Sequence, residues 1–224
     1  MIRIEQLSKI FRSELVETHA LRAFDLQVAS GEFVSITGPS ASGKTTLLNI
    51  LGLLETQTSG LYELDGVDVK GLSDVQRSKV RNEKIGFVFQ SFNMISGATI
   101  YQNVDIPLRY GGIPRSQRHD RIVQCLSRVG LGGRMHHLPS EISGGQLQRA
   151  AIARALVGSP KVLLADEPTG NLDSHMAVEI LDLIEEINSQ GTTVVLVTHD
   201  EKVARRTKRN IHVLDGTAME VCMS

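Results

Sequence analysis

The stretch GPSASGKT, Gly38 to Thr45, fits the pattern G-x-x-x-x-G-K-[ST] without a gap. Each fixed type has a chemical reason. Gly38 and Gly43 let the backbone curl around a phosphate without a Cβ in the way. The peptide N–H groups of Pro39-Ser40-Ala41-Ser42 and of the helix start at Lys44, Thr45 and Thr46 are then free to point at phosphate oxygens, proline excepted. Lys44 sets an ammonium between the β- and γ-phosphates, and the Thr45 hydroxyl is a ligand for Mg²⁺. Chance produces this string in about one chain of this size in a hundred. A capped Gly/Ser turn is the competing reading. The apolar strand EFVSIT before the loop and the helical KTTLLNILGLL after it favour phosphate.

Two further groups carry chemistry. KVLLADEPTG sets Asp166 and Glu167 at the end of an apolar run of the kind found in buried parallel strands. Ligands of an open α/β sheet sit outside the carboxyl ends of its strands. Asp166 therefore belongs to a magnesium shell beside Thr45, and Glu167 to the place where a general base would reach an attacking water. The second group is ISGGQLQR, Ile142 to Arg149. Ser143 precedes the helix-forming run 145–157 and is a natural N-cap. Gly144 and Gly145, just before Gln146, leave exposed N–H groups at a helix start, which makes a second anion site.

The elements that must position these residues follow from periodicity. MIRIEQL and RAFDLQV (22–28) alternate as half-buried strands, with a turn at Ser30-Gly31. LYELDG (61–66) is another strand. Helical patterning occupies 99–111, 115–129 and 145–157; a helix at 174–189 presents Ala177, Ile180, Leu181, Ile184 and Ile187 on one face. The strand TTVVLVT (192–198), a short helix from Asp200 and the strand NIHVLDG (210–216) complete the chain. Strands alternating with helices predict an α/β fold with a parallel sheet. We expect a core with strands at 1–90 and 159–224 and a helical subdomain at 91–158.

Composition bounds the function. With 224 residues, 41% hydrophobic, the chain suffices for one large domain with a core. A net charge of −1 with 22% charged residues gives no electrostatic argument for nucleic acid. The longest uncharged run, Gly86 to Val104, is too polar to span a membrane, and the charged N-terminus has no signal-peptide core. A cytosolic chain is expected, with any membrane role exerted through a partner. Cys125 and Cys222 form neither a disulfide framework nor a metal spacing; Cys125 shares a helical stripe with Ile122, Leu126 and Val129 and is expected to be packed. The His136-His137 pair is read as surface.

Taken together, these strings resemble the ATP-binding cassette family. ISGGQLQR is similar to its LSGGQ-x-Q-R signature, Gln90 in FVFQSF to its Q-loop, and ADEPTGNLD to its magnesium strand followed by a D-loop ending at Asp173. VTHD is similar to its switch histidine, His199, and Phe11 stands where the family places an aromatic that stacks on adenine. IGFVFQSFN, NVDIPLRY and DEPTGNLD are most like the ATPases of lipoprotein-releasing and macrolide- or peptide-exporting transporters, as is RSELVETHALRA. The chain departs from the family pattern at Ile142 for Leu, Ala41 for Gly and Thr45 for Ser, none of which removes a catalytic group.

The resemblance implies a P-loop NTPase (RecA-like) core with an antiparallel β subdomain and an inserted helical subdomain. It implies ATP and Mg²⁺ as cofactors, with Mg²⁺ on Thr45, Gln90 and Asp166. It implies catalysis by Glu167, His199, Gln90 and Lys44, and communication across a dimer by Asp173. Two copies would pack head to tail, each signature covering the γ-phosphate held by the other's loop. The further partner would be an integral membrane permease subunit, placing the chain peripherally on the cytoplasmic face. Phe92, Met94, Ile95 and Tyr101 are read either as core or as a groove for that subunit, the groove being favoured. The alternatives are a soluble non-transport cassette and a small P-loop kinase or GTPase. The first would usually show two cassettes or a long coiled coil. A GTPase would carry an N-K-x-D string, absent here, and a kinase would not need ISGGQ.

Overall fold

The computed structural model describes residues 1–13 and 16–221. In chain order the elements are β1 (Ile2–Arg12), β2 (Glu17–Val28), β3 (Phe33–Thr37), α1 (Lys44–Leu51), β4 (Ser59–Leu64), β5 (Val67–Asp68), α2 (Asp74–Lys84), β6 (Ile85–Phe89), α3 (Ile100–Tyr110), α4 (Arg115–Arg128), α5 (Gly144–Leu156), β7 (Val162–Asp166), α6 (Ser174–Ser189), β8 (Thr193–Val197), α7 (Glu201–Ala204), β9 (Arg209–Leu214) and β10 (Thr217–Val221). They fall into two units, Met1–Ser78 with the chain from Thr193 onward, and Lys79–Thr192.

The first unit holds two sheets. One is antiparallel, in the order β2-β1-β4-β5. Its alternation is the one that the sequence displays, with Ile2 and Ile4 buried and Arg3 exposed. Irregularities in register interrupt it between Ile4 and Leu7, where Gln6 takes a φ of 48°. The Asp25 carboxylate accepts both the Gln6 backbone N–H and its side-chain amide, each at 2.7 Å, and so fixes that kink. In the second sheet β3 lies parallel to both β8 and β9, and β10 pairs antiparallel with β9. β8 is buried at every position and β3 at all but its last, as expected of strands covered on both faces. The Ser35 hydroxyl in β3 is buried, and meets Thr207 Oγ1 at 2.8 Å. Tyr62 of β4 donates its hydroxyl to the Leu51 carbonyl at 2.7 Å, so a buried phenol fastens the end of α1.

In the second unit β6 and β7 pair in parallel, with Phe89 beside Asp166. Helix α5 packs against β6, and its buried residues include Ala150, Ala151, Ile152 and Ala153. Small side chains there let backbones approach, and Gly86 completes the fit: a Cβ on it would lie 2.5 Å from the Ala155 carbonyl oxygen. Cys125 is packed as expected, its Sγ 3.2 Å from the Ala153 carbonyl oxygen, and burial pushes its thiol up to about 11. Cys222 and part of RSELVETHALRA lie outside the described residues.

Two outcomes follow. Gly86→Ala should destabilise the protein by about 1–3 kcal/mol, because a backbone oxygen cannot yield as a side chain would; urea unfolding midpoints measure this. Glu55 accepts a hydrogen bond from Lys9 Nζ at 2.8 Å, which holds its carboxyl below the ordinary range. A depressed folded-state value means that the contribution is complete above the unfolded value and fades as pH falls through the folded one. Glu55→Gln should therefore flatten the loss of thermal stability on acidification below pH about 4.5.

Candidate functional site: two helix N-termini and the loops around them

The phosphate loop is the segment between β3 and α1. Its backbone is left-handed at three points, Gly38 (φ 143°), Ala41 (φ 62°) and Gly43 (φ 106°). The glycines are demanded twice over. A Cβ on Gly38 would lie 2.1 Å from the Val213 carbonyl oxygen, and one on Gly43 would lie 2.4 Å from that of Ala20. The loop is thus pressed between β9 and β2, and the Gly216 N–H donates to the Ser42 carbonyl at 3.0 Å. Lys44 folds back over the loop, donating from Nζ to the Gly38 and Pro39 carbonyls at 2.8 and 2.7 Å.

Helix α1 starts at Lys44 with no side-chain cap. Its first N–H groups have no acceptor within the helix, and the dipole there favours negative charge. Ser42 Oγ is buried with no hydrogen-bond partner. An uncapped helix start, a curled loop of required glycines, a poised ammonium and an orphaned buried hydroxyl fit a polyphosphate. Thr45 is exposed at this helix start.

His199 immediately follows the segment closing β8, and the Thr198 N–H donates to the Ile36 carbonyl at 3.1 Å. The histidine therefore stands at the same sheet end as the loop that leaves β3. Phe11 is at the end of β1 in the hairpin whose β2 presses on Gly43; it is 42% exposed, with Lys9 Nζ 4.7 Å from its ring centre. The first unit thus gathers Phe11, Gly38 to Thr46 and His199.

The second unit gathers the rest. Asp166 ends β7, and Glu167 leaves it at φ 45°, a conformation that needs support from its surroundings. Gln90 immediately follows the neighbouring β6. Its Nε2 lies 3.3 Å from Asn171 Oδ1, and Asn171 Nδ2 donates to the Gln90 carbonyl at 3.0 Å. A Cβ on Gly170 would come within 2.6 Å of Gln90 Nε2, so that glycine makes room for the glutamine. Gln90 and the Glu167–Asn171 turn are one structure.

Asp173 caps α6, accepting the Met176 N–H at 2.9 Å. Ser143 caps α5 as expected: its Oγ accepts the Gln146 N–H at 3.3 Å, and Gln146 Oε1 accepts the Ser143 N–H at 3.0 Å. Gly144 is exposed, whereas Gly145 is buried against Met176, whose Sδ would be 2.2 Å from a Cβ there. Of the four residues read as a groove or core, Ile95 is 55% exposed and Phe92, Met94 and Tyr101 are half-buried.

Three residues that the sequence reading did not single out hold these loops. Arg154 of α5 donates to the carbonyls of Phe92 and Asn93, two consecutive left-handed residues at φ 58° and 49°. Burial lowers its guanidinium's affinity for a proton. Asn103 in α3 binds the turn before that helix, accepting from the Ile95 N–H at 2.8 Å and donating to the Ala98 and Thr99 carbonyls at 3.0 Å. Gln148 of α5 donates to the Pro168 carbonyl at 2.6 Å. The chain pattern gave no hint of the first two, because their partners are backbone atoms of distant loops. Gln148 was visible within ISGGQLQR but carried no assigned task.

Ala41 provides a test of the loop's own energetics. An L-residue in the left-handed region costs about 1–2 kcal/mol, and glycine adds about 0.4–1 kcal/mol of unfolded-state entropy. Ala41→Gly should therefore raise stability by about 0.5–1 kcal/mol, read from the denaturant midpoint.

Comparison with known proteins agrees with this geometry. Residues 21–170 match the family described as "ABC transporter". The chain is 46% identical over 216 residues to the "Uncharacterized ABC transporter ATP-binding protein YknY" of Bacillus subtilis, covering 96% of this chain and 94% of that protein. It is 44% identical to the "Macrolide export ATP-binding/permease protein MacB" of Azoarcus, again over 96% of this chain, but it spans only 33% of that relative's length. Among solved structures, the ATP-binding cassette MJ0796 in a dimeric post-hydrolysis state bound to ADP and Pi matches with a TM-score of 0.91 and 40% identity, covering 100% of this chain and 99% of that one. The α/β arrangement, with its parallel and antiparallel sheets, is that of a P-loop NTPase cassette, and the chain belongs to the ABC transporter family.

Proposed function

We propose that this chain binds and hydrolyses ATP as the motor of a membrane transporter. The observation that carries the reading is that one chain holds two anion-ready helix starts, the uncapped α1 and the Ser143–Gly145 start of α5, in different units. The family membership and the dimeric form of the MJ0796 cassettes support their joint use by two copies, the phosphate loop of one and the α5 start of the other enclosing one ATP. Residues 91–158 would form the helical subdomain that carries the second anion site, and 1–90 with 159–224 the core.

In this reading Gly38, Ser40, Ala41, Ser42, Gly43, Thr45 and Thr46 cradle the phosphates through their backbone N–H groups, Pro39 shapes the loop without a donor, and Phe11 stacks on the base. Lys44 turns its ammonium from the Gly38 and Pro39 carbonyls to the phosphates. Gly144 and Gly145 of the second copy supply the opposing N–H donors, with the Ser143 hydroxyl and the Gln146 side-chain amide beside them, and Asp173 reports across the interface. Thr45, Gln90 and Asp166 would hold Mg²⁺, which neutralises phosphate charge when bound. A hydroxyl, an amide oxygen and a carboxylate are hard oxygen donors of the kind that Mg²⁺ takes, with substrate and water completing its shell. Glu167 takes the proton of the attacking water, Gln90 orders that water, and His199 contacts the γ-phosphate. Fixed charges and dipoles of this kind supply most of the acceleration in phosphoryl transfer.

No described helix is long and apolar enough to cross a membrane. The relatives named as ATP-binding/permease proteins support a membrane permease as the partner, with the chain peripheral on the cytoplasmic face. MacB, and the relative "Pyoverdine export ATP-binding/permease protein PvdT" of Pseudomonas fluorescens, are named for export of macrolides and pyoverdine, which supports export as the direction. Phe92, Met94, Ile95 and Tyr101 would line the contact.

Replacing Glu167 by Gln should leave ATP binding within about threefold of the original while lowering turnover at least about a hundredfold, and should accumulate an ATP-bound dimer in light scattering. Unchanged turnover in that variant contradicts the assigned base.

A further inference from the structure

The backbone that aims Glu167 has an unusual support. Glu167 is left-handed and is followed by Pro168, which has no N–H. The turn cannot be anchored there by a donor of its own and is held through carbonyls instead. The Glu167 carbonyl accepts the Gly170 N–H at 3.0 Å, and the Pro168 carbonyl accepts Gln148 Nε2 at 2.6 Å. These two bonds fix the planes on either side of Pro168, and with them the direction in which the Glu167 side chain leaves the chain.

Gln148 is an odd choice for packing alone. It is 0% exposed, and its Oε1 is buried with no partner. An amide with one half unsatisfied in the interior costs stability, whereas an apolar side chain of similar volume would not. The donor half is what the site uses. A carbonyl left without it would be a buried acceptor free to turn, and small errors in the aim of a catalytic group are costly in rate.

We propose that Gln148 is a positioning residue for hydrolysis: by donating to the Pro168 carbonyl it holds the strained backbone that aims the Glu167 carboxylate. The proposal rests on the reading of Glu167 as general base. It concerns the interior of α5, five residues past the Ser143 cap, and not the helix start that meets phosphate.

The test uses the full chain, Mg²⁺-ATP, and two variants. Gln148→Met keeps the volume and removes the donor. Its kcat should fall by about tenfold or more, with the KM for ATP and the affinity of a fluorescent ATP analogue changed by less than about twofold. Gln148→Glu removes the donor only while the introduced carboxyl is ionised, and burial raises the pH at which it ionises. Its kcat relative to the parent should therefore climb as pH is lowered from about 8 to about 6, whereas the Met variant shows no such recovery. A Met variant with parental kcat overturns the proposal. So does a fall in kcat and ATP affinity together in proportion to lost folding, or a Glu variant whose relative rate ignores pH. Should the Met variant not fold, the pH profile of the Glu variant decides. If Glu167→Gln itself turns over normally, it is the assignment of the base that fails, a result separable from these.

Discussion

Peptide N–H groups at the start of a helix want an acceptor, and at α1 the chain gives them none. Most of the first unit can be understood as the means of keeping that condition. Two glycines remove the side chains that would fill the curl, and strands β9 and β2 press their carbonyls against the space so created. The buried register of β3 with β8 and β9 fixes where the loop begins. Lys44, held by two loop carbonyls, keeps a cation next to donors that already favour an anion. A capping serine at the start of α1 would satisfy the helix and remove its purpose.

The second unit handles its helix start differently. α5 is capped by Ser143 and Gln146, so the anion site proposed there falls to an exposed glycine next to a satisfied cap. The body of the same helix then holds two loops by their backbone oxygens, through Gln148 at Pro168 and through Arg154 at Phe92 and Asn93. Each loop contains left-handed residues that a free chain would abandon. One rigid element thus presents the signature sequence and supports both the Glu167 turn and the segment after Gln90. Neighbouring bonds between Gln90 and Asn171 join those two loops directly.

Much of this was legible in the residues. The GPSASGKT string, the cap at Ser143, the buried run before Asp166 and the helix from Ser174 all stand where pattern and chemistry place them. Local rules suffice there, because steric freedom, capping and burial on two faces leave direct marks. β1 and β2 extend beyond the alternating segments, to Arg12 and back to Glu17, because a two-stranded ladder continues past the buried part. Helix α2 left no apolar stripe to find, as none of its residues is buried. β6 was hidden because IGFVF is short and opens on the glycine that lets α5 approach. The supports of the site, Arg154 and Asn103, were invisible because they bind distant backbone, and backbone partners leave no sequence pattern.

The central claim is that one active site is assembled from the phosphate loop of one copy and the α5 start of another. Complementation between two variants tests it most directly. Lys44→Met spoils the loop, and Ser143→Arg spoils the opposing helix start; each variant alone should be inactive in single-turnover ATP hydrolysis. Mixed, they should recover activity, because a heterodimer contains one site with both elements intact. A mixture as inactive as its components, or a Ser143→Arg protein with full activity by itself, would contradict the account.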